Sequence, residues 1–151
     1  MQQNRCRYSE KKLSPSREEY LKAIYKLSER TQLVRSIDIA EYLGVSKPSV
    51  HNAVTRLREE GMVIKPLGGE IQLTAEGRKK GEIITAKFRI IRQFLNSCCN
   101  VSEPTASADA CKMEHILSDE SILALKKYLD LEHGDDFTSA QISITTKNKF
   151  S

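Results

Sequence analysis

Between residues 36 and 61 the apolar positions form two short helical stripes separated by a glycine. Ile39, Ala40 and Leu43 make the first stripe, and Val50, Val54 and Leu57 the second; both spacings are those of one helix face. Gly44, with no Cβ, suits the positive φ that ends a helix. Ser46 has the oxygen to cap the next helix, and Pro48 fits its first turn. Lys47, Ser49, His51, Asn52 and Arg56 fill the exposed side of that helix. This pattern predicts a helix-turn-helix whose second helix is shaped for a DNA major groove. Gly61 closes the helix. Two β-prone runs, Met62–Ile64 and Ile71–Leu73, flank Pro66-Leu-Gly-Gly, a turn composition. Thr74 then caps a further helix. The whole reads as a winged helix; a winged helix that binds only protein is the other reading of the same pattern.

The flanking segments are helical as well. Ser14-Pro-Ser-Arg opens a helix with Tyr20, Leu21, Ile24, Tyr25 and Leu27 at helical spacing to about Arg30. Residues 1–13 are basic and polar and read as a loose arm. A long helix is predicted from Ala75 to Asn96, with Ile83, Ile84, Phe88, Ile91, Phe94 and Leu95 on a broad stripe. Asn100–Pro104 is a break. Two shorter helices follow, Thr105–Leu117 and, capped by Ser118, Asp119–Leu131. Residues 132–151 are polar, and the alternation at 141–146 fits a short strand or a disordered tail. The expected fold is mainly α: an N-terminal winged helix-turn-helix over 14–74, then an all-helical domain over 75–131. The last two helices are too short to bury a core alone. A homodimer solves this, and its two-fold axis lets two recognition helices read a palindromic site.

Charge sharpens the assignment. Residues 1–95 carry 19 Lys or Arg against 11 Asp or Glu, a net of +8, whereas residues 96–151 carry 5 against 9, a net of −4. The positive half holds the winged helix, as phosphate binding requires, although a solvated surface would also look so. Arg56 and Lys65 on the wing suit phosphate contacts, and Asn52 can pair bidentately with adenine. No apolar run reaches the roughly 20 residues that span a bilayer, and no secretory signal pattern opens the chain. The expected location is the cytoplasm, with no membrane partner. The cysteines at 6, 98, 99 and 111 include no Cys-x-x-Cys pair, which argues for free thiols over a zinc ribbon.

One segment offers ligands. In Cys111-Lys-Met-Glu-His115 the thiol, the Glu114 carboxylate and the imidazole stand at i, i+3 and i+4, one face of a helix. They are suitable donors for a divalent transition metal. A solvated Glu–His pair beside a buried Cys is the structural alternative.

The chain resembles the diphtheria-toxin-repressor and manganese-transport-regulator family of metal-dependent repressors. The resemblance is carried by Glu18-Glu-Tyr-Leu-Lys-Ala-Ile-Tyr-Lys-Leu, the helix-turn-helix, Leu73-Thr-Ala-Glu-Gly-Arg and above all Asp109-Ala-Cys-Lys-Met-Glu-His-Ile-Leu-Ser-Asp-Glu. It covers about residues 14–131. It implies a homodimeric transcriptional repressor of palindromic operators, with Fe(II) or Mn(II) as corepressor and Zn(II) or Co(II) as in vitro substitutes. The ligands it implies are Glu19, Cys111, Glu114 and His115. Ser46, Pro48 and Asn52 take positions at base edges, Ser49 and His51 positions near phosphate. Glu19 also admits a local role, in a capping box with Ser16. Cys111 resembles the iron branch, while an acid at Glu19 is nearer the manganese branch. The family's second metal site falls on Lys22, Phe88, Arg92 and Ser107, none a usual ligand, so a single ion per chain is expected. The length resembles the shorter, manganese-type architecture. Two rivals remain: a winged-helix regulator without metal control, and a metal-buffering protein, for which a winged helix has no use. No constellation suggests an enzyme.

Overall fold

The computed structural model describes residues 13–31, 33–66 and 68–133. The arm expected over 1–13, apart from Leu13, and the tail from 134 onward, with its alternating stretch, lie outside the described residues. Leu13 does not belong to a loose arm: it is buried in the core.

Helix α1 (Pro15–Ser28) is capped by Ser14, whose hydroxyl accepts from the Arg17 amide, and Pro15 opens its first turn. The cap therefore lies two residues before Ser16, and the expected Ser16–Glu19 capping box is not the one that forms. Helix α2 (Ser36–Leu43) ends at Gly44 with φ 65°, and α3 (Lys47–Glu59) starts from Ser46, whose hydroxyl accepts from the Ser49 amide. Gly44 supplies the left-handed conformation that lets α3 leave α2 at an angle. A hairpin of β1 (Val63–Ile64) and β2 (Gln72–Leu73) follows, antiparallel with Val63 opposite Leu73. Val34 adds an isolated bridge to Ile71, so the chain before α2 edges the wing.

Helix α4 (Ala75–Gln93) is capped by Thr74, which accepts from Gly77 N at 3.0 Å and donates to Gly61 O at 2.7 Å. The α-helix stops at Gln93, three residues before the expected end, and the next turn, Phe94–Cys98, is π-helical. Asn100 then takes φ 53°, a left-handed conformation that asparagine tolerates. Helix α5 spans Glu103–Met113 and α6 spans Asp119–His133. Ser118 accepts from Ser121 N at 3.2 Å, the cap expected there. Helix α5 was expected to reach Leu117; it ends four residues sooner, with Glu114 as its C-cap.

Two apolar cores result. The first joins Leu21 and Ile24 of α1, Ile39 of α2, Val50, Val54 and Leu57 of α3, Val63 and Ile71 of the wing, and Ile84 of α4. The second joins Ile90 and Ile91 of α4 to Ala110, Ile122 and Leu129. Helix α4 thus serves both cores. Its first half runs close to its neighbours. A Cβ at Gly77 would collide with the Met62 carbonyl, and one at Gly81 would stand 2.7 Å from Tyr25 Cβ.

Gly77→Ala removes a residue that costs about 1 kcal/mol in a helix, yet it should destabilise the protein by about 1–3 kcal/mol because the backbone of the wing cannot yield cheaply. Urea unfolding would show this as a lower midpoint; an unchanged or raised midpoint would contradict the packing described.

Candidate nucleic-acid interface and metal centre

The winged helix presents one polar, basic face. Ser46, Lys47, Pro48, Ser49, His51, Asn52, Arg56 and Lys65 are all exposed. Their helix buries Val50, Ala53, Val54 and Leu57 on its other side, so the polar set has no alternative but solvent or a ligand. The Ser46 and Ser49 hydroxyls are 2.8 Å apart, and Thr55 Oγ1 donates to His51 O at 2.9 Å. Asn52 and Arg56 line an open cleft of about 460 Å³ together with Ser14, Ser16, Arg17, Tyr20, Ser49 and Ala53. The contribution of the α1 N-terminus to this face was not read from the sequence. Its signal is the hydroxyl and cation run Ser14-Pro-Ser-Arg17. Arg17 also pairs with Glu60 at the end of α3, which fixes α1 against the recognition helix.

The second site lies where α1 meets the end of α5. Glu19 from α1, Cys111 from α5 and Glu114 from its C-cap each offer a ligand atom, all within 4.8 Å of one another. His115 is just past the helix end rather than on its face. It still joins them: Nε2 is 3.4 Å from Glu114 Oε1 and 3.6 Å from Glu19 Oε2. Ligands about 2.1 Å from a common centre stand about 3.4 Å apart in a tetrahedral set, so the His115 spacings to Glu114 and Glu19 suit one ion, while the group whose ligand atoms all lie within 4.8 Å of one another is Glu19, Cys111 and Glu114. Glu114 is 3 % exposed, and its Oε2 is buried with no hydrogen-bond partner among the described residues. An orphaned buried carboxylate oxygen is expensive and is what a bound cation would satisfy. The donor set therefore fits a divalent metal.

Two neighbours complete the site. Glu18 Oε2 is 2.7 Å from His115 Nδ1. With Nδ1–H donating to that carboxylate, the Nε2 lone pair faces the cluster, the arrangement that supports ligating histidines elsewhere. Glu18 was not singled out from the sequence, because adjacent carboxylates at 18 and 19 do not reveal which one faces which group. The other neighbour is Lys22, 3 % exposed. Its Nζ donates to Glu114 Oε1 at 2.5 Å, pairs with Glu19 Oε2 at 2.9 Å and lies 3.5 Å from Cys111 Sγ. Burial alone disfavours its charged form, but the hydrogen bonds to Glu114 and Glu19 outweigh that and raise its pKa. Burial pushes the Glu114 carboxyl up, and the Lys22 ammonium beside it opposes the shift. Lys22, Lys26 and Arg92 all approach the Phe88 ring, at 5.1, 4.8 and 5.8 Å from its centroid. Arg92 is paired with Glu103, and Ser107 donates to the same carboxylate. Lys22, Phe88 and Arg92 thus form a cationic and aromatic surround beside the cluster.

A winged helix with a polar recognition face, joined through a shared helix to a helical half that carries metal donors at the junction, defines a DNA-binding regulator of transcription. The chain belongs to the iron-dependent repressor family. Residues 12–66 match the family's N-terminal DNA-binding domain, and residues 74–134 match its metal-binding and dimerisation domain. An HTH-type transcriptional regulator of Methanocaldococcus jannaschii is 34% identical over 120 residues, 78% of this chain and 95% of that protein. The diphtheria toxin repressor of Corynebacterium glutamicum is 31% identical over 127 residues, 84% of this chain and 56% of the repressor. The solved structure of the manganese regulator SloR superposes with a TM-score of 0.70 at 34% identity, over 78% of this chain and 55% of that one. The chain therefore spans about half the length of the named repressors it matches. Among the described residues, no helix is long and apolar enough to cross a membrane.

Proposed function

We propose that this chain is a cytoplasmic, homodimeric transcriptional repressor that binds palindromic operator DNA and is activated by one divalent transition metal per chain, Fe(II) or Mn(II). The observation that carries the reading is the convergence of Glu19, on a helix of the winged-helix core, with Cys111, Glu114 and His115, at the end of a helix of the second core. Similarity to an iron-dependent repressor family supports the regulatory role. Ile116, Tyr128 and Leu131 are large apolar residues left exposed on the helical half, which a second copy could cover.

Each residue has a part in this reading. Glu18 holds the His115 ring through Nδ1 and leaves Nε2 for the ion. Glu19, Cys111, Glu114 and His115 would hold the ion, which would supply a charge shared by both halves of the chain. That shared tie favours one spacing of the two recognition helices, a population shift toward the DNA-competent dimer. Ser46, Pro48 and Asn52 then face base edges. Lys47, Ser49, His51, Arg56 and, on the wing, Lys65 face phosphates.

A second reading has an observation in its favour. Lys22 bridges Glu19 and Glu114, a tie that a winged-helix regulator without metal control could use.

The test starts from operator DNA recovered by in vitro selection. The metal-loaded protein should bind it far more tightly than protein held in chelator, and equal binding in both would favour the second reading. His115→Ala should abolish metal binding and activation together. Glu19→Ala should leave residual metal affinity with little activation, because the ion then no longer reaches α1; full activation in Glu19→Ala would contradict the bridging role.

Glu18→Ala should weaken metal binding by about 10–100-fold, the usual cost of losing a carboxylate that orients a ligating histidine. An unchanged affinity by calorimetry would remove Glu18 from the site.

On the DNA face, Asn52→Ala should cost about 1–3 kcal/mol and relax specificity at one base pair. Arg56→Ala should weaken binding to all sequences alike and reduce the salt slope by about 1. Anisotropy titrations at several salt concentrations separate the two; wild-type behaviour in both variants would place the groove contact elsewhere.

A further inference from the structure

Lys22 reaches all three residues of the candidate ligand cluster. Its ammonium reaches Glu114 Oε1 at 2.5 Å, Glu19 Oε2 at 2.9 Å and Cys111 Sγ at 3.5 Å. A transition-metal ion held by the same three residues, through either Glu114 oxygen, would stand about 2.0–2.3 Å from each ligand atom. Three shared donors cannot keep a dication and an ammonium together at such distances without pressing like charges into near contact in a buried setting. Other features show that the ammonium is a built occupant and no stray surface lysine. Lys22 and Glu114 are each 3 % exposed. Lys22 shares α1 with Glu19, one turn away, so it points into the cluster whenever Glu19 does. The ammonium also stands 5.1 Å from the centroid of the Phe88 ring, over which Lys26 and Arg92 lie.

Resting on the metal-centre reading, we propose that Lys22 is a built-in competitor for the metal. Its ammonium occupies the ligand cluster of the metal-free chain, ties α1 to the end of α5, and must withdraw before the ion can be held. Two consequences follow. The metal binds more weakly than its four donors alone would allow, because the apparent affinity of a site falls with the fraction of protein in which the site is free. The metal-free protein also keeps part of the tie between its two halves, so activation by metal is smaller than in a chain whose site is open. Lys22 acts here as a residue that sets the threshold of the response.

The experiment is a Co(II) titration of the full chain, wild type beside Lys22→Met, Lys22→Gln and Lys22→Arg, followed by absorbance and by melting temperature. Lys22→Met removes the charge at similar length. Lys22→Gln removes the charge but can still donate to Glu114, which guards against a variant that fails to fold. Lys22→Met and Lys22→Gln should bind Co(II) about tenfold or more tightly than wild type, the change expected if the ammonium fills the site in over about nine-tenths of the metal-free molecules. Their melting temperature should fall in chelator and recover with Co(II), by a larger increment than wild type shows. Their operator affinity should depend more steeply on metal. Lys22→Arg, which keeps a cation, should bind Co(II) no more tightly than wild type. Folded Met and Gln variants that bind Co(II) with wild-type or weaker affinity would overturn the proposal. In that case, wild-type binding that is lost in His115→Ala would leave the metal-centre reading standing. Absence of Co(II) binding in every folded variant would remove both.

Discussion

A buried charge cluster ties the winged-helix half of this molecule to its helical half. Lys22 and Glu114 are both almost fully enclosed, one on α1 and the other at the end of α5. A charge in that setting is tolerable only when it is paired and hydrogen-bonded. The pairing therefore fixes how α1 sits against the α5 terminus more strictly than apolar contact would. Around it, Glu19 stands beside the ammonium and Glu18 holds the His115 ring. Because Leu21 and Ile24, on the same helix, lie in the winged-helix core, the geometry of this cluster is transmitted to α3 with little slack.

Helix α4 is the other constraint. It carries Ile84 into the first core and Ile90 and Ile91 into the second. A rigid helix shared by two cores limits the motion between them to small changes of angle. A ligand at the α1–α5 junction works on just that angle, which makes the junction an effective place for control. Close approaches at Gly77 and Gly81 keep the wing and α1 pressed on α4. The recognition face is thereby held on a firm support, while its own exposed residues stay free for a partner.

The parts legible in the sequence were those with short-range chemical causes. Gly44, Ser46, Thr74 and Ser118 mark helix ends by mechanisms that act within a few residues, and each does so in the structure. The exposed set on α3 follows from the same periodicity that buries Val50, Val54 and Leu57. Features that depend on distant contacts were not legible. Nothing local stops α5 before Ser118, since Glu114-His-Ile-Leu reads as helix; the pairing of Glu114 with Lys22 and of His115 with Glu18 occurs across more than 90 residues. Leu13 is a single apolar residue after a basic run and has no period to announce its burial. The π turn at Phe94–Cys98 likewise has no local breaker. Lys22 was legible as a cation unsuited to a second ion. That it reaches into the first ligand set requires the placement of α5, which no local pattern supplies.

The central claim is that one ion would be held from both sides of the junction, by Glu19 of α1 and by Cys111, Glu114 and His115 at the end of α5. Anomalous diffraction from crystals of the Co(II)-loaded chain tests it most directly. The account predicts a single strong peak per chain, bonded to Glu19, Cys111, Glu114 and His115, with the Lys22 ammonium withdrawn from the carboxylates. A peak ligated without Glu19, or the absence of any peak at the junction in fully loaded protein, would contradict it.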